Sequence, residues 1–97
     1  MVFYELKISS RAQVQLDELY MGGARYWGVE QADKYYDGLL SHFDILLENP
    51  FLYRAVDEIM IGYRRSVYER HSIYYRVGGG IVCIMAVLKR QDLHKQI

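Results

Sequence analysis

Cysteine occurs once in this 97-residue chain, at Cys83, and proline once, at Pro50. A single cysteine excludes an internal disulfide. Its place in an apolar run predicts a small buried filler in a reducing cytoplasm. CxxC and HExxH are both missing, so a metal site has no support, and no cofactor is predicted. One cysteine and three histidines give a Cys–His nucleophile no support either. There is no glycine-rich phosphate loop: Gly78-Gly79-Gly80 lies between two strand-like runs, where a hairpin turn is its natural use. No apolar run exceeds eight residues, and the opening stretch Met1–Ile8 carries Glu5 and Lys7. Those two facts predict neither a membrane span nor a signal peptide. Net charge is also absent, with 12 Lys/Arg against 12 Asp/Glu.

What is present is more directive. Residues 1–50 hold four Lys/Arg and eight Asp/Glu, a balance of −4, and residues 51–97 hold eight and four, a balance of +4. The basic half points to an anionic partner, acidic protein or nucleic acid, against the plainer alternative of a mixed solvated surface. Ten tyrosines are many for this length, and their amphipathic rings suit core edges and interfaces. The length predicts one domain, 1–97, with little core to spare.

Periodicity supplies the elements. Val2, Tyr4, Leu6 and Ile8 alternate with Phe3, Glu5 and Lys7, which predicts a half-buried strand over 1–8. Ser9-Ser10 offers N-cap hydroxyls. Ala12, Leu16, Leu19, Gly23 and Trp27 then come at helical spacing. Gly22-Gly23 is expected to kink this helix or admit another backbone, and Gly28 to end it. Ala32, Tyr35, Tyr36, Leu39, Leu40, Phe43, Leu46 and Leu47 form a second helical stripe, stopped by Asn49-Pro50. Residues 9–48 therefore read as a helical hairpin. Phe51–Asp57 reads as a loop and Glu58–Ile61 as a short strand. Tyr63–Tyr68, Ser72–Val77 and Ile81–Leu88 read as an antiparallel meander, giving 58–88 as the strand region and 89–97 as a polar tail.

The fold class predicted is α+β, ordered β-α-α-β-β-β, with the helical hairpin on one face of a mostly antiparallel sheet. Ile81–Leu88 is apolar at every position and needs cover on both faces. It is therefore expected at the centre of the sheet, beside the first strand, and a missing partner is expected on the open face.

Candidate chemistry reduces to cations on the sheet and tail: Arg64, Arg65, Arg76, Lys89, Arg90 and Lys95. Arg64 and Arg65 are consecutive, so they point to opposite faces. A metal-free ribonuclease built from such parts would use arginine to stabilise the phosphorane and a His, Tyr or Lys to move protons. His71 and His94 are the histidines that sequence places near those arginines. His71 also reads simply as a turn residue.

Three stretches, Arg25-Tyr-Trp-Gly-Val-Glu-Gln-Ala-Asp33, Glu48-Asn-Pro50 with Asp57-Glu-Ile59, and Gly62–Val77, make the chain resemble the ParE-type toxins of the RelE/ParE toxin–antitoxin superfamily. The resemblance covers nearly the whole chain and implies the same β-α-α-β-β-β fold. It implies a cytoplasmic toxin that forms a hetero-oligomer with an antitoxin, ParD-like or other. The implied action is poisoning of DNA gyrase, with no catalysis, no membrane and no sequence-specific nucleic-acid binding by the toxin alone. Trp27-Gly28, Asp57-Glu58-Ile59 and Tyr63-Arg64-Arg65 fall on the ParE side of the superfamily. Under this resemblance Arg64, Arg65, Lys89, Arg90, Asp92 and His94 are target-binding candidates. Tyr63, Tyr74, Val82, Ile84 and Met85 are antitoxin-binding candidates. The RelE-like alternative is a ribosome-dependent endoribonuclease using Arg65, Arg76 and His94. The chain departs from the ParE pattern at Leu88-Lys89-Arg90-Gln91-Asp92, where a Leu-His and an Arg-Met-Asp-like step are usual. A non-toxic antitoxin-binding module is therefore a third reading.

Overall fold

The computed structural model describes residues 3–90. Val2 and the tail candidates Asp92, His94 and Lys95 lie outside the described residues. Strand β1 (Glu5–Ile8) leads into helix α1 (Ser10–Trp27) and helix α2 (Val29–Glu48). Strands β2 (Arg64–Tyr68), β3 (His71–Gly78) and β4 (Ile81–Lys89) complete the order. The sheet runs β1-β4-β3-β2, with β1 parallel to β4 and the other pairs antiparallel. The expected architecture is the one found, with the apolar β4 inside the sheet.

Local chemistry sets each boundary. Ser9 caps α1 by accepting from the Ala12 N–H at 3.1 Å, satisfying one unpaired amide of the first turn. Gly28 ends α1 at φ 92°, in the left-handed region that favours glycine. The β3–β4 turn places Gly79 and Gly80 at φ 57° and 75°, the two positive values a tight hairpin of this hand requires. Helix α1 runs through Gly22-Gly23 without a break. Close approach explains Gly23, where an added Cβ would rest 3.6 Å from the Ala32 Cβ on α2.

The core lies between the hairpin and the inner face of the sheet. Ala12 and Leu16 from α1 meet Leu39, Phe43 and Leu46 from α2 over Ile73, Tyr75, Val82, Ile84 and Val87. Leu40 leaves the predicted stripe and is exposed. Tyr75 is fully buried and donates to the Pro50 carbonyl at 2.6 Å. Burial pushes its hydroxyl pKa up to about 12.

Strand β4 changes phase along its length. Tyr74 pairs with Ala86 while Tyr75 pairs with Ile84, leaving Met85 as the extra residue of a bulge. Val82 and Ile84 therefore face the helices before the bulge, and Val87 does so after it. Ala86 turns to the outer face, where it joins Val56 and Tyr74 in a second small core edged by Tyr63 and Leu88. The cover predicted for β4 is thus partly supplied by the chain itself, through the loop that carries Val56.

That loop corrects one expectation. Glu58–Ile61 is not a strand: the amides of Ile59 and Met60 both turn back to the Val56 carbonyl, at 2.8 and 3.0 Å. Extended pairing occurs earlier, as a single bridge between Ala55 and Arg64. Ile59, Met60 and Ile61 have no sheet to face and stay exposed. Cys83 is likewise only partly buried, because its alternation points it to the outer face opposite Arg76.

Candidate functional site

Strand alternation sends Arg64 and Arg65 to opposite faces, as their adjacency requires. Arg64 Nη1 donates to the Tyr53 carbonyl at 2.7 Å, and its guanidinium lies 5.0 Å from the centre of the Phe51 ring. Arg65 stands on the outer face, where its Nε donates to Ser72 Oγ at 3.0 Å. Arg76, two positions beyond Tyr74 on β3, is exposed on the same face. Between them the Tyr74 hydroxyl is buried, near Ser72 and Arg65 but without a well-formed hydrogen bond among the described residues. Burial raises its pKa, and the Arg65 charge and the Ser72 and Arg65 side chains oppose the rise. The outer face therefore offers two guanidinium groups and a desolvated phenol beside an apolar patch.

Both described imidazoles lie on the helix side of the sheet. His71 opens β3, is buried, and shares a 2.7 Å hydrogen bond with Tyr35 Oη. That hydroxyl also accepts from the Arg70 amide at 3.1 Å, so it ties α2 to the β2–β3 turn. Its pKa is raised by burial, partly opposed by the Arg70 hydrogen bond. His42 on α2 meets Ser66 Oγ at 2.6 Å, and desolvation lowers its pKa. Ser66 is 1% exposed, so this Ser–His contact is sealed from any substrate and holds α2 on β2.

A wide groove opens where the hairpin tip faces the end of the sheet, with a volume of about 1200 Å³. Lys34, Arg70, Lys89 and Arg90 border it together with Glu69. Trp27 projects from the end of α1, 64% exposed, with the Arg70 guanidinium 5.4 Å from its ring centre. Lys89 pairs with His71 at the last rung of β4, and the Arg90 amide donates to the Arg70 carbonyl at 2.9 Å. Among the described residues, no cluster of three His, Cys, Asp or Glu could hold a metal ion.

The sequence model of the family described as "ParE toxin of type II toxin-antitoxin system, parDE" matches residues 6–94. The chain is 36% identical over 92 residues to Toxin ParE1 of Mycobacterium tuberculosis, covering 93% of this chain and 94% of that protein. It is 33% identical over 72 residues to Toxin ParE1 of Caulobacter vibrioides, covering 74% and 75%. The chain belongs to the ParE toxin family. It is thus a toxin component of a type II toxin–antitoxin system. A chain of the chromosomal ParDE TA system from P. aeruginosa shares the fold at a TM-score of 0.79 and 21% identity, over 90% of this chain and 96% of that one.

In this ParE toxin the described sequence-derived candidates divide in four, with Arg64 alone on the face opposite Arg65. Arg65, Arg76, Tyr63 and Tyr74 come together on or under the outer face, with Met85 half-buried at the bulge. Lys89 and Arg90 stand apart from them, at the groove. Val82 and Ile84 are corrected: both are fully buried beneath the helices and have no surface to offer an antitoxin. Reading β4 as equally open along both faces overlooks that its inner face is the main core. His71 is corrected too, from a turn residue near the arginines to a buried strand residue facing α2. His42 and Tyr35 escape sequence reasoning as contacts. The available signal is a histidine inside the apolar stripe Leu39–Leu46, which calls for a buried polar partner.

Proposed function

We propose that this ParE toxin acts by binding, poisons DNA gyrase in the cytoplasm, and is held inactive by an antitoxin that covers the outer face of its sheet. The observation that carries the non-catalytic reading is the placement of His42 and His71. Both lie on the helix side and are hydrogen-bonded there, away from Arg65 and Arg76. General acid–base chemistry needs a proton-transfer group within hydrogen-bond reach of the substrate. Among the described residues, Arg65 and Arg76 have only the Tyr74 phenol between them, whose pKa burial raises further from neutrality, so the pair makes a cationic docking face. Family membership supports the gyrase target, and the exposed Lys89 and Arg90 supply cations for it at the end of β4. The antitoxin's seat would include Tyr63, Tyr74 and Met85, next to the apolar patch formed with Val56 and Leu88.

One arrangement favours the endoribonuclease reading: Arg65 and Arg76 do share a face. A single pair of assays separates the two. Purified toxin is added to gyrase on relaxed plasmid and, separately, to translating ribosomes on a defined message. Blocked supercoiling with intact transcripts is expected. Cleaved transcripts with normal supercoiling would replace this proposal with the RelE-like one, and inertness in both would leave an antitoxin-binding module.

A further inference from the structure

Gly22 occupies the interior of α1, where glycine destabilises a helix relative to alanine. Nothing within the described chain explains it. Among the described residues a Cβ built at Gly22 meets no heavy atom within 4 Å, whereas one at Gly23 would touch Ala32. The empty space beside Gly22 is the groove between the hairpin tip and the sheet end. Four cations, Lys34, Arg70, Lys89 and Arg90, border that groove against one anion, Glu69, a local balance of +3. Tyr26 and Trp27 rise at its edge, 80% and 64% exposed. A bare helix surface admits the close approach of another backbone. Clustered cations select carboxylates, and exposed aromatics are the usual anchors of a protein interface.

We propose that this groove seats an acidic segment of the antitoxin, whose backbone passes over Gly22 and whose carboxylates meet Lys34, Arg70 and the Lys89–Arg90 pair. The inference rests on the antitoxin reading above and adds a regulatory consequence. Lys89 and Arg90 are the described target-binding candidates at the end of β4, so a segment lying in the groove covers them. Neutralisation is then occlusion: the antitoxin and the target compete for the same cations. The groove begins where the outer face ends, since Leu88 belongs to the outer patch and Lys89 to the groove. Leu88 and Lys89 face opposite sides of the sheet, so an antitoxin segment that reaches both passes round the end of β4.

The test uses the full chain and the antitoxin of the same parDE pair. Gly22→Ala adds a methyl where the described residues leave open space. It should raise the melting temperature of the free toxin by roughly 4–8 °C through helix propensity. The same methyl should weaken antitoxin binding at least tenfold, and Gly22→Gln should weaken it further. Ser41→Ala is the control, an exposed helical position on α2 outside the groove, and should leave affinity unchanged. Lys34→Glu combined with Arg70→Glu should weaken binding about a hundredfold and flatten its salt dependence. Stabilised Gly22 variants that bind as tightly as wild type would overturn the proposal. So would a destabilised Gly22→Ala toxin, which would mean that the space beside Gly22 is already filled in the free toxin. A Gly22-dependent change in sedimentation of the free toxin would overturn it in favour of a second copy. If wild type itself fails to bind the antitoxin, the antitoxin reading falls along with the groove. Wild-type binding that ignores Gly22 and the cations sinks the groove alone.

Discussion

At the scale of single residues, two buried polar groups carry opposite lessons. The Tyr74 hydroxyl is buried without a well-formed hydrogen bond among the described residues, although Ser72 and Arg65 lie near it, and such a group costs about 1–3 kcal/mol in lost solvation. Tyr74→Phe removes the hydroxyl and keeps the ring against Val56 and Ala86. The variant should therefore be more stable than wild type by about 1 kcal/mol, read as a higher urea midpoint at unchanged slope. A lower midpoint would mean that the hydroxyl is satisfied in solution. His42 is satisfied, by Ser66 at 2.6 Å, but only in its half-buried setting. Desolvation holds its folded pKa below the unfolded value of about 6.5. The unfolded chain then binds the proton more readily, so this group's stabilisation is complete above pH 6.5 and is lost as pH falls through the folded pKa. Between pH 7 and 5 the wild type should lose more stability than His42→Gln, and the difference between the two curves isolates the imidazole from the carboxylates. Identical curves would refute the linkage. Neither position announces itself in the sequence, because a partner on a distant element decides both: Val56 covers Tyr74, and Ser66 meets His42.

Among the elements, legibility tracks periodicity and fails where a strand changes phase. The helical stripes, the Ser9 cap, the Gly28 stop and the glycine turn after β3 depend on residues close in sequence, and each is readable. The central place of β4 is readable as well, since eight consecutive apolar residues need neighbours on both sides. The Met85 bulge is not readable: a run apolar at every position shows no break in alternation when its phase shifts. That hidden shift is why Ala86 rather than Val87 faces outward, while Val82 and Ile84, which precede it, are misplaced because an all-apolar run does not show which of its faces is the main core. Glu58–Ile61 misleads for the converse reason, as three apolar residues without a sheet edge to join. The phase shift also defines a joint between α1 and β4. Strand β1 stops at Ile8, so the β4 edge beyond it is capped from α1. The Ser9 hydroxyl donates to the Met85 carbonyl at 3.2 Å, and Gln15 Oε1 accepts from the Val87 amide at 2.7 Å. Gln15→Ala leaves that partly buried amide unpaired and should cost about 1 kcal/mol. Hydrogen exchange should speed up at Val87 more than at Ile84, whose place lies within the β1 pairing. Uniform exchange along β4 would show that water replaces Gln15 without loss.

For the whole molecule, the split of charge becomes a split of surfaces. Residues 1–50, balanced at −4, build β1 and the helical layer, while the half from residue 51 onward, balanced at +4, supplies the Val56 loop and the other three strands. An anionic partner is therefore steered towards the outer face of the sheet and towards the groove at its end, which both helices also border. The outer face holds the incompletely covered patch around Val56, Tyr74 and Ala86, and Ile59, Met60 and Ile61 are exposed on the loop that covers it. A partner that binds only the folded toxin stabilises it by mass action, by about 4 kcal/mol when free antitoxin stands at a thousand times its Kd. For a chain of this size that corresponds to a rise of roughly 15–30 °C in melting temperature. The rise should grow with the logarithm of antitoxin concentration, and the association rate should fall as salt is raised while the melting gain persists in part, because buried apolar area is not screened. Scanning calorimetry at several antitoxin concentrations and stopped-flow binding at two salt concentrations measure both quantities. Equal melting temperatures for the free toxin and the saturated complex would show that the open sheet face and the groove are finished surfaces of the chain, and the coupling of charge to docking would fail with them.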